Sequence, residues 1–521
     1  VSDLLAGPAD IAAGLAVHGA DAVDRSARAG LVARDVPARL AAQDPTLWGA
    51  DAEAAARGRL GWVDTHCRSR DLLPQLAELA AELGDLDHVV LAGTGGVTLA
   101  AEVIAGCLGR PLTVLDSADP GPVRAALADR PARTVLVLAG PSGLDPTTDA
   151  HLRVWRQEWQ DAGPEADRHV VVVAPPGSEL AALADELGAV LIPTDPEVAG
   201  PWSALTAFGL VPAALAGAPV TELLDEAAAL ADALDRERDN PALALGAALG
   251  AAAAGGRSTV ALVPDGTGLD GLRHWAGALL GAATGGRVLP LAAESPDAPG
   301  ATGPGVLTIG IGGALAPGVT PGVAADVAVN GPLGAQFLTW SYAAATAAAA
   351  LRVDPFAEPA AASTDAPADP PPSSVDGAVE VYAPTGAPAD LAGALRWLVD
   401  GLGPDEHLAV TAHLDRFADA AAAGLRPLLA RGTGRPVTFG WGPRHPSHTD
   451  GRARHLQITG AVTDDLAVPG RPYTFAELQA AQAAGDRWAL AGRERPVLRL
   501  HLTERAAGVA QLLDTAGRTR T

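Results

Sequence analysis

The 521-residue chain is 48% hydrophobic but only 4% aromatic, with alanine supplying much of the apolar content, and its pI lies near 4.8. Its formal net charge of −24 comes without a visible basic stripe, which excludes a nucleic-acid surface of the usual electrostatic kind. Lysine is absent, so all 37 cationic side chains are arginine, and any mechanism that needs a lysine ammonium is excluded.

The length suggests two or three domains, because single cores stop growing near roughly 250–300 residues. Two cysteines, Cys67 and Cys107, lie outside any CxxC pair and read as buried free thiols of a reducing compartment. The opening residues lack a basic start and an uninterrupted apolar run, so no secretory leader is expected. The longest alanine-rich stretch, Tyr342 to Val353, is too short to span a bilayer. These features predict a soluble, cytoplasmic protein without a membrane partner.

In chain order, residues 1–60 read as a helical segment, with helical spacing in "DIAAGLAVHGADAV" and "DAEAAARGRL". Residues 61–220 then alternate. The strands are "HVVLAG", "PLTVLD", "TVLVLAG", "HVVVVA" and "AVLIPTD", and helices such as "TLAAEVIAGCLG" and "DAHLRVWRQEWQDAG" separate them. That pattern predicts a parallel sheet with helices on its faces. Trp155 and Trp159 fall at i, i+4 and read as packing. A second alternating unit covers 221–354, with strands "STVALVP", "RVLPLAAE", "GVLTIGIGG" and "DVAVN" and a long helix from "QFLTWSYAAATAAAALRV". Residues 355–377 are rich in Pro, Ala and Ser without periodicity and read as a linker. Strands "HLAVTAHL", "PVTFGWG" and "VLRLHL" in 378–521, with flanking helices, are expected to complete the second sheet.

Several stretches together carry a resemblance: "HVVLAGTGGVTLAAEVI", "LTVLDSADPGPVRAAL", "AGPWSALTAFGLVP", "DNPALALGAALG", "VNGPLGAQFLTWSYA", "DPFAEP", "VPGRPYTFAELQAAQAAGD" and "RPVLRLHLTERAAGVAQLL". The chain resembles the glucose-6-phosphate isomerase family, in its actinobacterial variant, from about Asp64 to Leu513. The resemblance implies two sugar-isomerase domains, each a parallel sheet sandwiched by helices, and a homodimer.

It also implies a set of site residues, and here the chain departs from the family. The first phosphate loop, G-x-G-G-S in the family, is Gly93-Thr94-Gly95-Gly96-Val97, followed by Thr98. The second, S-S-K-S-G-G-T, is Ala139-Gly140-Pro141-Ser142-Gly143-Leu144-Asp145, with Thr147 and Thr148 beyond it. A carboxylate within about 4 Å of a phosphate costs on the order of 1 kcal/mol even in bulk water. The arginine that holds charge on the intermediate, in G-G-R-[FY]-S, is replaced by Pro201. The basic glutamate of E-S-x-G-K is replaced by Ala282, and its lysine by Gly286. The H-S-T-G-Q-x-H-K-G-G segment shortens to "PSHTDGRARHL".

Gly95, Gly96, Thr98, Ser142, Gly143, Thr148 and Arg444 remain as candidate ligand-binding residues. No catalytic residue of the family survives intact, and the substitute candidates are Glu294, after a strand of the second unit, and His448. His445, His448 and His455 read as solvent-facing loop histidines rather than zinc ligands, so neither metal nor cofactor is expected. The expectation is an isomerase homologue that is catalytically impaired or inactive, with a regulatory, scaffolding or subunit role. Its ligand would be a sugar phosphate or related small molecule, and its partner a second copy or an active paralogue. The alternative is an active glucose-6-phosphate/fructose-6-phosphate (aldose-ketose) isomerase, or an isomerase on a related sugar, with relocated catalytic residues.

Overall fold

The computed structural model describes residues 9–141, 143–162, 166–198, 200–316, 318–357, 370–443, 452–491, 495 and 497–518. The chain divides into two compact units, one of residues 1–114, 132–144 and 165–358, the other of 115–131, 145–164 and 359–521. Among the described residues no helix is long and apolar enough to cross a membrane.

The first unit opens on a hairpin where a helix was expected, β1 (Asp10–Ala12) and β2 (Leu15–His18). Ala13 and Gly14 between them hold positive φ of 49° and 76°, which makes the tight turn and stops any helix from running through. Leu15 and Val17 then point into the core at a period of two. Helices fill most of the stretch from residue 20 to residue 82.

The expected alternation follows. Strands β3 (His88–Gly93), β4 (Thr113–Leu115), β5 (Thr134–Ala139), β6 (Val170–Ala174) and β7 (Val190–Pro193) form a five-stranded sheet in the order β4-β3-β5-β6-β7. The pairs β3–β5, β5–β6 and β6–β7 are parallel. Every residue of β3, β5 and β6 is buried, which is why they read as unbroken apolar runs.

Strands β8 (Thr259–Pro264), β9 (Leu289–Ala292), β10 (Val306–Gly312) and β11 (Val327–Asn330) form a second sheet with the hairpin, in the order β1-β2-β11-β10-β8-β9. β8 to β11 pair in parallel, and β2 joins β11 antiparallel. The two sheets share one apolar core. Its helices pack closely because their contact residues are small. A Cβ on Gly246 of helix Pro241–Ala254 would meet Thr346 at 2.6 Å, and one on Gly250 would meet Ala350 at 2.5 Å. Phe356 is buried in this unit against Trp48 and Trp202, so the ordered core extends past residue 355, where a linker was expected. Residues 358–369 of that linker lie outside the described residues.

The expectation that residues 378–521 complete the second sheet is corrected by the pairing. Strands β12 (Ser374–Asp376), β13 (Val379–Tyr382), β14 (His407–His413), β15 (Val437–Trp441), β16 (Ala453–Gly460) and β17 (Val497–Leu502) form a sheet of their own, in the order β12-β13-β17-β16-β14-β15. The alternating apolar residues of these strands, with helices Leu391–Asp400, Leu425–Thr433 and Arg505–Arg518, bury one another in a separate core. β14 to β17 repeat the parallel arrangement of β8 to β11, and an antiparallel hairpin extends each sheet at the same end.

Candidate functional site

In the first sheet the chain leaves β3 in one direction, to β4, and crosses to β5 in the other. The topological switch therefore falls between β3 and β5, and α/β sheets receive ligands outside the carboxyl ends of strands at such a point. Gly93 and Ala139 end these two strands in register. A Cβ on Gly93 would lie 2.4 Å from the Ala139 carbonyl oxygen, so the close approach requires glycine. Gly95, at φ 73°, turns the chain into helix Gly96–Cys107. Gly96 faces the 3-10 turn Gly200–Ser203, where a Cβ would be 2.9 Å from Pro201 N. The loop is thus a tight glycine turn from strand into helix.

Its polar content is directed elsewhere. Thr98 is fully buried, and its hydroxyl donates to the Gly95 carbonyl at 3.2 Å. Val97, expected from the sequence to stand in for the family's serine, is 1% exposed and belongs to the core. Gly143, at φ 149°, faces the Glu179 carboxylate, 3.1 Å from where its Cβ would stand. At Pro201, expected from the sequence to replace the family's arginine, the carbonyl accepts the Trp275 indole N–H at 2.9 Å. Ser142 lies outside the described residues.

In the second unit, helix Pro146–Ala162 starts on Asp145. The Asp145 carboxylate accepts from the Thr147 N–H at 2.9 Å, the Thr148 N–H at 3.2 Å and the Thr148 hydroxyl at 2.5 Å. It sits where a bound anion would meet the free N–H groups of the helix. Thr148, named from the sequence as a ligand residue, is buried and turned to this carboxylate. His151, one turn on, is fully buried; burial lowers its pKa to about 4, and its Nε2 meets the Ser117 carbonyl at 3.1 Å. Trp155 and Trp159 pack against each other with ring centroids 5.3 Å apart.

Glu294 follows β9, the edge strand of the second sheet, and is exposed. Its charge acts on Arg273, whose guanidinium burial holds below its ordinary pKa. Arg444, His445 and His448 lie outside the described residues. His455, expected in a solvent-facing loop, is instead buried in β16, because "ARHLQITG" alternates as a strand. Cys107 is largely buried, with its thiol pushed up to about 11, whereas Cys67 is exposed and corrects the expectation of two buried thiols. Among the described residues no group of three or more His, Cys, Asp or Glu is placed to hold a metal.

Sequence reading missed a buried ionic group in the second unit. Arg505 pairs with Asp119 at 2.7 Å and Asp419 at 3.3 Å. Burial raises the Asp419 carboxyl above the ordinary carboxylate range, while Arg505 pulls it down. Asp119 also receives the Gln479 amide at 3.1 Å. Asp419 lies 86 positions from Arg505 and Gln479 lies 360 from Asp119, so no local spacing announces them.

A parallel sheet with a glycine turn at its switch point, beside a second sheet of the same kind, defines an α/β fold of the sugar-isomerase type. A glucose-6-phosphate isomerase from Chlamydia trachomatis D/UW-3/Cx shares the fold, with a TM-score of 0.53 over 69% of this chain and 88% of that one, at 14% identity. In sequence, a probable glucose-6-phosphate isomerase of Haloarcula marismortui is 30% identical over 224 residues, 42% of this chain and 51% of that protein. One from Natronomonas pharaonis is 36% identical over 197 residues, 37% of this chain and 45% of the relative. Over the matched stretches the chain is similar to glucose-6-phosphate isomerases. It spans about half the length of these curated relatives. No protein-family model matches it.

Proposed function

We propose that this chain is a glucose-6-phosphate isomerase homologue with little or no turnover, acting as a regulatory, scaffolding or subunit protein of sugar-phosphate metabolism. The observation that carries this reading is Asp145, whose carboxylate already accepts from two N–H groups at the helix start. A sugar phosphate arriving there would meet a like charge in place of free donors. Ala282 at the family's base position and Pro201 at its arginine position support the same reading. General acid–base catalysis is typically worth about a hundred- to ten-thousandfold. A lost charge-stabilising donor costs about a hundred- to a thousandfold.

The test has two arms. Fructose 6-phosphate with the purified protein, coupled to glucose-6-phosphate oxidation, should give background rates. Calorimetric titration with 6-phosphogluconate should show no micromolar binding. Asp145→Thr should tighten whatever weak binding exists, because it removes a charge and keeps a capping hydroxyl. Ala282→Glu alone should leave turnover at background, since the charge of the intermediate stays unpaired. Measurable turnover with micromolar binding would favour an active isomerase, with Glu294 beside Arg273 as the first base to substitute. The similarity to glucose-6-phosphate isomerases also supports a cytoplasmic homodimer with an interface above about 2,000 Å². Light scattering at micromolar concentration tests that assembly, and co-purification tests a heteromer with an active paralogue.

A further inference from the structure

Helix Val220–Ala231 places Glu222 and Glu226 one turn apart on the wall of a cavity of about 180 Å³ in the first unit. The cavity opens past the carboxyl ends of β10 and β11, where Gly313 and Gly331 line it, on the side of an α/β sheet that receives ligands. Leu108, Leu223, Leu269 and Leu333 give it apolar walls. Its size is close to that of a cavity of about 150 Å³ that admits benzene, so it suits a molecule of about six or seven non-hydrogen atoms.

The polar side chains of the lining are of one kind. Among the described residues the polar side chains that line it are the two glutamates, which are acceptors when ionised. Pro219 and Pro332 have no N–H. The Gly313 N–H donates to the Thr267 hydroxyl at 2.6 Å, and the Gly331 N–H to the Gly312 carbonyl at 3.2 Å. The N–H groups of Glu222 and Leu223 both go to the Pro219 carbonyl. Glu226 itself accepts the Gly334 N–H at 2.7 Å, so the start of the long helix Leu333–Leu351 is occupied by a carboxylate of this chain. Behind the wall, Asn330 is 1% exposed; its amide donates to the Gly313 carbonyl at 3.1 Å, and its oxygen has no donor.

Two carboxylates at i, i+4 on one helix repel. Burial and the neighbouring Glu222 both raise the Glu226 carboxyl above its ordinary range. A donor-rich cation between the two would relieve the repulsion and meet acceptors, whereas an anion would meet two carboxylates.

We propose that this cavity binds a small organic cation, an ammonium or guanidinium group on a short aliphatic body, with Glu226 and Glu222 as its charge partners. The aliphatic part would replace water against the leucine walls, and the head would sit between the glutamates.

Calorimetry on the intact protein tests this with three probes: isopentylammonium, isopentanol and inorganic phosphate. The ammonium should bind at least about tenfold tighter than the alcohol, and phosphate should not bind. Glu226→Gln should weaken the ammonium by about tenfold or more while its amide oxygen still accepts the Gly334 N–H. Glu222→Gln, at an exposed position, should weaken it in the same direction without affecting folding. Equal binding of alcohol and ammonium would overturn the proposal. So would no heat at millimolar ammonium, or affinity untouched by either substitution.

Discussion

The carboxyl ends of β3 and β5 in the first sheet and those of β14 and β16 in the third occupy the same place in the strand order, and they are built from different materials. The first is made of backbone. Gly93 fits only because its Cβ is missing, Gly95 supplies the positive φ, and the nearby hydroxyl of Thr98 closes back on the loop. The third is made of charge. His413 ends β14 fully buried, 3.5 Å from the Asp486 carboxylate, and Asp419 beyond it shares Arg505 with Asp119. The contrast separates two properties that a binding loop usually combines. Its shape is enforced by strand register, and so persists. Its ligand chemistry rests on side chains that the fold does not require, and so is free to change.

If the third sheet depends on its charges, breaking them should cost most. Arg505→Ala leaves Asp119 and Asp419, 1% and 8% exposed in their side chains, without their cation. Removing one partner of such a pair costs about 3–5 kcal/mol, measurable as a shift of the urea midpoint. Mutating Asp119 and Asp419 to Asn together with Arg505→Met should cost less than Arg505→Ala alone, since no buried charge is then orphaned.

A smaller effect follows from His151 in the same unit. Burial holds its folded pKa at about 4 against an ordinary 6.5. Above 6.5 it is neutral folded or unfolded and contributes no pH dependence. As pH falls from 6.5 to 4, the unfolded chain takes up the proton and the folded chain does not. Stability therefore drops, by on the order of 3 kcal/mol over that window. His151→Gln should flatten the slope of unfolding free energy against pH between those limits. An unchanged slope would mean that His151 is protonated within the fold.

The first sheet should respond to volume rather than to charge. Gly93→Ala drives a methyl to 2.4 Å from the Ala139 carbonyl oxygen, a backbone atom that a rotamer change cannot move. The expected loss is about 1–3 kcal/mol, independent of pH and salt. A pH-dependent loss would show that the loop carries a charge role after all.

The alternation of apolar runs and helices made the first sheet readable, because parallel strands buried on both faces must be apolar throughout. The i, i+4 pairing of Trp155 and Trp159 was readable for an equally local reason. The hairpin at β1 and β2 was not, since "DIAAGLAVH" satisfies a helical spacing as well as an alternating one. Only pairing of β2 with β11 decides between them. His455 was misplaced because a strand in the middle of a sheet was taken for the end of a loop. For the candidate site, the missing family residues were legible position by position, but the new roles of those that remain were not. Nothing local tells that Thr98 closes on Gly95, or that the Pro201 carbonyl is held by Trp275, 74 positions away.

What the sequence determined by itself was the set of strands in the first two parallel sheets, the small residues that let helices pack closely, and the absence of lysine. Each follows from period, volume or chemical identity, which are properties of short stretches. What only the tertiary structure decided was which strands share a sheet, which carboxylates lose water together, and where a cavity opens. Strand partnership depends on which edges meet. The ionisation of Glu226, Asp419 and His151 depends on burial by residues far away in the chain. Desolvation and pairing are properties of the packed interior, and no window of sequence contains them.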